Sequence, residues 1–250
     1  MEPGYREYLP SDPTLAVYVS RVWTWRSRGA APGGSLVVPD ASFDLIFKRG
    51  RSGVSLLACG VMTRARSVAS EAGAAYLGIR FRPGFGAAFI DTPLASIRDD
   101  LVELPDYFAQ QARLLAMLEP GATIDALIAE VSRQLRRRAA ERHDPRAVEL
   151  VRRMAALPGD RASAPLARSL GLARRSFHRV FTRHFGIGPR LYTSIMRFQR
   201  MQAVAAARPG LSIGELAAAS GYYDQPDMSR TVKRLTGMTP ARYLARTYKT

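Results

Sequence analysis

Over roughly the first hundred residues, apolar and polar positions alternate in short runs. Tyr76-Leu-Gly-Ile-Arg-Phe-Arg82 sets Leu77, Ile79 and Phe81 against Gly78, Arg80 and Arg82. This is the period of a half-buried strand, closed by Pro83-Gly84. Similar strands are predicted at 19–26, 35–38, 43–48 and 54–58, separated by Gly-, Pro- and Asp-bearing turns. The period then lengthens, and helices are predicted at about 105–118 and 123–142. In the second of these, Leu127, Ile128, Val131 and Leu135 form a stripe that fits either the chain's own core or a dimer seam. The Arg136–Arg138 run beside it fits water or a flanking phosphate.

Beyond residue 143 the helical period is continuous and the boundaries carry capping chemistry. Asp144-Pro145 and Thr239-Pro240 each offer an N-cap followed by proline at the first helical position, and Ser212 to Glu215 has capping-box spacing. Pro189–Ala207 reads as one helix on the order of 28 Å long, ended by Pro209-Gly210. This segment also repeats itself. Leu166, Ala167 and Gly171 recur fifty residues on as Leu216, Ala217 and Gly221, and Arg179, Gly186, Pro189 and Tyr192 recur fifty-one on as Arg230, Gly237, Pro240 and Tyr243. Each copy reads as helix, Gly-containing turn, second helix, then a Gly-x-x-Pro stop, a duplicated helix-turn-helix.

The predicted fold class is α+β. A β-rich domain, barrel- or cupin-like, occupies 1–120, a helical linker 121–143, and an all-α domain of two helix-turn-helix units joined by a long helix 144–250. A length of 250 residues accommodates two such domains.

Charge separates the halves. Residues 144–250 carry 19 Lys and Arg against 6 Asp and Glu, net +13, whereas residues 1–143 carry 18 against 15, net +3. A polyanion partner therefore belongs to the C-terminal half; nucleic acid and an anionic membrane face both supply dense negative charge. On a helical wheel of Arg174 to His184, Phe177, Val180 and Phe181 point one way, and Arg175, His178, Arg179 and Thr182 the other. A solvated face is the common fate of such a run, but it needs acidic partners at i,i+4, and this helix contains no acid. In the second unit Met228, Val232 and Leu235 form the apolar stripe, with Pro226, Asp227, Arg230, Lys233 and Arg234 outside. A helix of this kind fits the major groove of DNA.

With LARSLGLARRSFHRVFTRHFGIGPRLY, RFQRMQAVAAARPGLSIGELAAASGYYD and QPDMSRTVKRLTGMTPARYL, residues 144–250 resemble the AraC/XylS family of bacterial transcription regulators. The resemblance implies a sequence-specific DNA-binding regulator, an activator or a repressor, that places two recognition helices in successive major-groove segments. It implies base reading at Arg175, His178 and Arg179 and at Gln225, Asp227, Ser229 and Arg230, with Arg174, Thr182, Arg183, Lys233 and Arg234 completing the DNA-contacting set. Val232 departs from the family, which usually has phenylalanine there, and Pro226 and Asp227 make the second face less cationic than the first. His184, on the semi-apolar arc, is expected to pack or touch phosphate, and His143 to be structural.

The N-terminal half, through WTW at 23–25, PDASFDLIF at 39–47, GVMTRA at 60–65, LGIRFRPGFGAAF and PLASIRDDLVEL, resembles the β-rich domain fused to some AraC-type regulators. That resemblance implies effector sensing or dimerisation. Trp23, Trp25, Tyr76 and Arg80 are the effector candidates, set against the commoner reading of strand aromatics as core.

No enzyme is expected, because residues 1–142 contain no histidine for a metal site or to activate Cys59, the single cysteine. No metal and no cofactor are expected. The expected partners are double-stranded DNA and, as further candidates, RNA polymerase, a small-molecule effector and a second copy of the chain; a membrane is not among them. With no run of about 18 apolar residues and no signal-peptide pattern, the expected compartment is the cytoplasm. The alternative is a non-specific, nucleoid-type nucleic-acid binder, and after it an enzyme or ligand-binding protein whose basic half is incidental.

Overall fold

The alternating runs of the first half pair into one antiparallel sheet. In the computed structural model, residues 4–10, 12–27, 35–69, 71–104, 124–142, 145–156 and 163–247 are described. Strands β1 (Tyr5–Tyr8), β2 (Val19–Arg26), β4 (Asp44–Gly50), β5 (Gly53–Cys59), β7 (Ala75–Phe81) and β8 (Leu101–Glu103) lie in the order β1-β2-β7-β4-β5-β8. A separate pair joins β3 (Ser35–Val37) to β6 (Arg66–Val68). Among the described residues the large sheet is open at β1 and β8 rather than closed into a barrel.

Register fixes which side chains share a face. Val22 opposes Ile79, Leu45 opposes Ile79 and Ala58, and Phe47 opposes Leu77 and Leu56. All of these are buried and form the core with Phe81 and Phe89. Each of these valine, leucine, isoleucine and phenylalanine side chains contributes roughly 1.5–3 kcal/mol through burial.

Helix α1 (Pro13–Ala16) is capped by Asp12, whose Oδ1 accepts from the Thr14 and Leu15 amides. Helix α2 (Ile124–Arg142) lies against this domain: Leu135 and Ala139 are buried, Arg136 pairs with Asp12 at 2.9 Å, and Arg138 donates to the Phe89 carbonyl and pairs with Asp91, both at 3.2 Å. Arg137 pairs with Glu141. The arginine run is thus engaged within the chain, and Leu135 of the apolar stripe packs on the chain's own core. The side chains of Leu127 and Val131, the helix expected at 105–118 and His143 lie outside the described residues.

The C-terminal half is helical: α3 (Pro145–Ala155), α4 (Ser163–Ser169), α5 (Arg174–Phe185), α6 (Pro189–Ala207), α7 (Ile213–Ala219), α8 (Gln225–Thr236) and α9 (Pro240–Thr247). The duplication is geometric as well as sequential. Tyr192 and Tyr243, equivalent residues, are both buried, and their hydroxyls donate to the Ala155 carbonyl at 2.8 Å and to Gln202 Oε1 at 2.6 Å. The expected capping box at α7 is present, with the Ser212 hydroxyl accepting from the Glu215 amide and the Glu215 carboxylate from the Ser212 amide.

Among the described residues the two halves pack together at several places. Gly84, at φ +86°, leaves room for Phe185 and Val151: a Cβ there would lie 2.6 Å from Phe185 Cζ and 2.8 Å from Val151 Cγ1. The Gln199 side-chain amide donates to the Pro39 carbonyl at 2.6 Å. The Ala65 amide donates to the Leu235 carbonyl, also at 2.6 Å. The β domain therefore touches the first unit, the joining helix α6 and the second unit.

Candidate nucleic-acid interface

Helix α5 starts after the Gly171 turn with no side-chain cap and ends at Gly186, whose left-handed conformation (φ +69°) lets its amide reach the Thr182 carbonyl. Its inner face is aromatic. Phe177, Phe181 and Phe185 are buried, Phe181 stacks on Phe185 at 4.1 Å, and both rings meet Tyr192. Arg174, Arg175, His178, Arg179 and Arg183 are exposed. Thr182 differs from expectation: it is only half-exposed, and its hydroxyl is buried with no hydrogen-bond partner. It sits three residues before buried Phe185, on a neighbouring helical position, so it borders the core instead of the open face. His184 is half-buried, and burial, then the adjacent Arg183 charge, lowers its pKa below the usual histidine value.

Helix α8 is anchored differently. Asp224 caps it by accepting from the Asp227 amide at 2.6 Å, and Gly237 (φ +74°) ends it as Gly186 ends α5. Met228, Thr231, Val232 and Leu235 are buried, so valine fills the position expected of phenylalanine. Gln225, Pro226, Arg230, Lys233 and Arg234 are exposed, and Ser229 is half-buried. Asp227 is half-buried and already engaged: its Oδ2 accepts from Arg197 Nη1 at 3.1 Å and from the Tyr223 amide at 3.4 Å. Arg197 in turn lies over the ring of buried Tyr222, 5.0 Å from its centroid.

Two features of this surface escaped the sequence. Tyr223, in the turn before α8, is 90% exposed. Arg197 had no visible role because its partner is thirty residues away.

The four effector candidates of the β domain share one sheet face. Trp23 opposes Gly78, Trp25 opposes Tyr76, and Arg80 opposes Asp44 and Arg21. These aromatics are packed on one another: Tyr5 stacks on Trp23 at 6.0 Å and Trp25 on Tyr76 at 5.0 Å, while the Trp23 indole covers Gly78 so closely that a Cβ there would lie 1.9 Å from it. The Arg80 guanidinium is shared by Asp44 at 3.2 Å and Asp40 at 3.3 Å. Trp23 Nε1 also donates to Asp44. Burial holds the Asp44 carboxyl above the ordinary carboxylate range, against the pull of Arg80. Burial also pushes the Cys59 thiol up to about 12, with Asp44 adding to it, so a nucleophilic thiolate is disfavoured there.

A cleft of about 640 Å³ lies where the halves meet, lined from the β domain by Val17, Arg82 and Phe85 and from the helical half by Arg152, Met196 and Gln199. No helix of the described residues is long and apolar enough to cross a membrane.

Residues 166–246 match a family described as a helix-turn-helix domain, and residues 6–103 match a domain of unknown function (DUF6597). No curated protein matches the chain in sequence. Among solved structures, it is similar to ToxT from Vibrio cholerae at 11% identity, covering 97% of this chain and 98% of that one, with a TM-score of 0.44. It is also similar to ToxT bound to an unsaturated fatty acid (11% identity, 100% and 99% covered, TM-score 0.43). Residues 166–246 are thus a helix-turn-helix domain of the AraC type, a kind that binds DNA in transcription regulators, carried in this chain behind a domain of a second family.

Proposed function

We propose that residues 144–250 read a specific DNA sequence by placing α5 and α8 in successive major-groove segments. The observation that carries this reading is that two matched, glycine-ended helices each carry an exposed polar face, Arg175, His178 and Arg179 on α5 and Gln225, Arg230 and Lys233 on α8, with Arg179 and Arg230 at equivalent places. Arginine makes bidentate bonds to guanine and glutamine to adenine, which supplies base discrimination. Arg174, Arg183 and Arg234, at the margins, supply phosphate contacts that set register. Asp227, tied to Arg197, orients α8 instead of reading a base. The cytoplasm is the compartment in which this activity operates.

Selection of bound sequences from a random duplex pool tests the reading. The expected result is a two-part motif with its halves about one helical turn apart. Uniform recovery of unrelated sequences would establish the non-specific alternative.

A second reading concerns the β domain, and the cleft at the junction favours it. An effector seated there touches Arg82 on one side and Met196 on the joining helix, so its binding biases how the halves meet. The packed Trp23, Trp25 and Tyr76 face offers less room. Saturation-transfer NMR with a library of small carboxylates, followed by Arg82→Gln, tests this seat; ligands that bind equally well to the variant would place it elsewhere.

A further inference from the structure

The offset between the two repeats changes from fifty to fifty-one residues inside one short turn. Ahead of it, the Leu172 amide donates to the Ala167 carbonyl at 2.9 Å and the Tyr222 amide to the Ala217 carbonyl at 3.1 Å, equivalent bonds fifty residues apart. Behind it, the Phe177 amide donates to the Ala173 carbonyl at 2.9 Å and the Met228 amide to the Asp224 carbonyl at 3.2 Å, fifty-one apart. The extra residue therefore lies between Tyr222 and Asp224, and it is Tyr223. The first unit makes the same turn with Leu172 joined directly to Ala173, so closing the turn does not require it. Turn residues are ordinarily small or polar. Tyr223 is a large aromatic that is 90% exposed, more so than any other large hydrophobic among the described residues. Its backbone is fixed: the Tyr223 amide donates to Asp227 Oδ2 at 3.4 Å, Asp224 beyond it caps α8, and Tyr222 before it is buried. A ring held in place two residues ahead of Gln225 and left in solvent offers a partner a large area at small conformational cost.

We infer that Tyr223 is a base-reading residue of the second unit, its ring packing against the 5-methyl group of a thymine in the major groove beside the start of α8. The inference rests on the proposed reading for the duplex and for the helix that enters the groove. The first residues of such a helix meet the base edges, so a side chain just ahead of Gln225 reaches the same groove. Phosphate is the poorer match at this point, because Asp224 beside Tyr223 is exposed and acidic and the ring brings no positive charge to offset it. The thymine methyl is the apolar group of the major-groove edge, and apolar side chains read it. The first unit has no residue at this place and presents Arg175, His178 and Arg179 instead. Tyr223 thus adds apolar reading to the face that carries less positive charge.

Full-length wild type, Tyr223→Phe and Tyr223→Ala are compared on the selected duplex, on a random one, and on versions of the selected duplex in which each thymine is replaced in turn by uracil, which deletes only the methyl. The wild type is expected to weaken about fourfold at one position, the worth of burying one methyl group. Tyr223→Phe is expected to weaken equally there. Tyr223→Ala is expected to bind the intact selected duplex more weakly, to show no further loss at that position, and to respond as the wild type does at every other. Its Tm and its binding to random duplex are expected to be unchanged. If Tyr223→Phe loses as much as Tyr223→Ala, the hydroxyl makes the contact and the inference fails. Equal losses by Tyr223→Ala on selected and random duplex, or a fall in its Tm with losses at every position, would overturn it as well, the first marking a backbone contact and the second a structural role. A recovered motif in which no thymine depends on Tyr223 overturns the inference and leaves the proposed reading standing, whereas recovery of no motif overturns both.

Discussion

Arg197 Nη1 lies 3.1 Å from Asp227 Oδ2, so α6, which joins the two units, grips the first turn of α8. The same carboxylate accepts from the Tyr223 amide, which ties the exposed turn before α8 into the contact. Removing the charge in Asp227→Asn is expected to lower stability by about 1 kcal/mol or less, as for other partly exposed ion pairs. It also removes a negative charge from a basic surface, so affinity for random duplex is expected to rise. Thermal melts and mobility shifts on random DNA check both, and unchanged or weaker random binding would contradict the electrostatic account.

Arg175→Ala and Arg230→Ala are each expected to cost about 1–3 kcal/mol on the selected site and little on random DNA. Both side chains are exposed, one on α5 and one on α8, so neither substitution should disturb folding. Competition binding on the two duplexes measures the difference. Equal losses on both would reassign these arginines to phosphate contact.

The close approach at Gly84 makes Gly84→Ala a probe of the join between halves. Its Cβ would strike Phe185 and Val151, and its φ of +86° is unfavourable for alanine, so a loss of about 1–3 kcal/mol is expected. Gly73→Ala supplies the control, since Gly73 has a similar φ of +80° but nothing within 4 Å. Urea midpoints of the two variants should differ, Gly84→Ala being the lower; equal shifts would mean that backbone strain alone accounts for the cost.

His184 sets a pH dependence of known sign. Its folded-state pKa lies below the ordinary 6.5 because burial, then Arg183, disfavours the imidazolium. The unfolded chain therefore binds more protons as pH falls through 6.5, and stability present above that pH is lost on acidification until the folded-state pKa is passed. A lower urea midpoint at pH 5.5 than at pH 7.5 is expected, and His184→Gln should shrink the gap. A gap unchanged in the variant would remove His184 as its source.

Much of the helical half was legible because its signals are local. The Ser212–Glu215 box, Pro189 and Pro240 at helix starts, and the glycine repeat each act within a few residues, and α6 runs over Pro189–Ala207 as expected. Strand β2 also matches its alternating run, while β1, β6 and β8 went unread, being three or four residues long and lacking a clear apolar alternation. In the interface, the exposed arginines followed from the wheel. Thr182 did not, because a wheel says nothing of how far the core reaches round a helix. Nor did the engagement of Asp227 and Arg80, since their partners on other elements are brought near only by the fold. The Arg136–Arg138 run looked free for the same reason, with Asp12 and Asp91 supplied from far along the chain.

The Ala65–Leu235 hydrogen bond and the Gly84–Phe185 contact bear on how this protein can be taken apart. A chimera that grafts residues 144–250 onto a foreign sensor would leave the Leu235 carbonyl without its amide and present Phe185, now fully covered, to water. Transplanting the loops around Ala65 and Gly84 along with the helices keeps both satisfied. The practical unit of exchange is thus larger than the module that touches DNA.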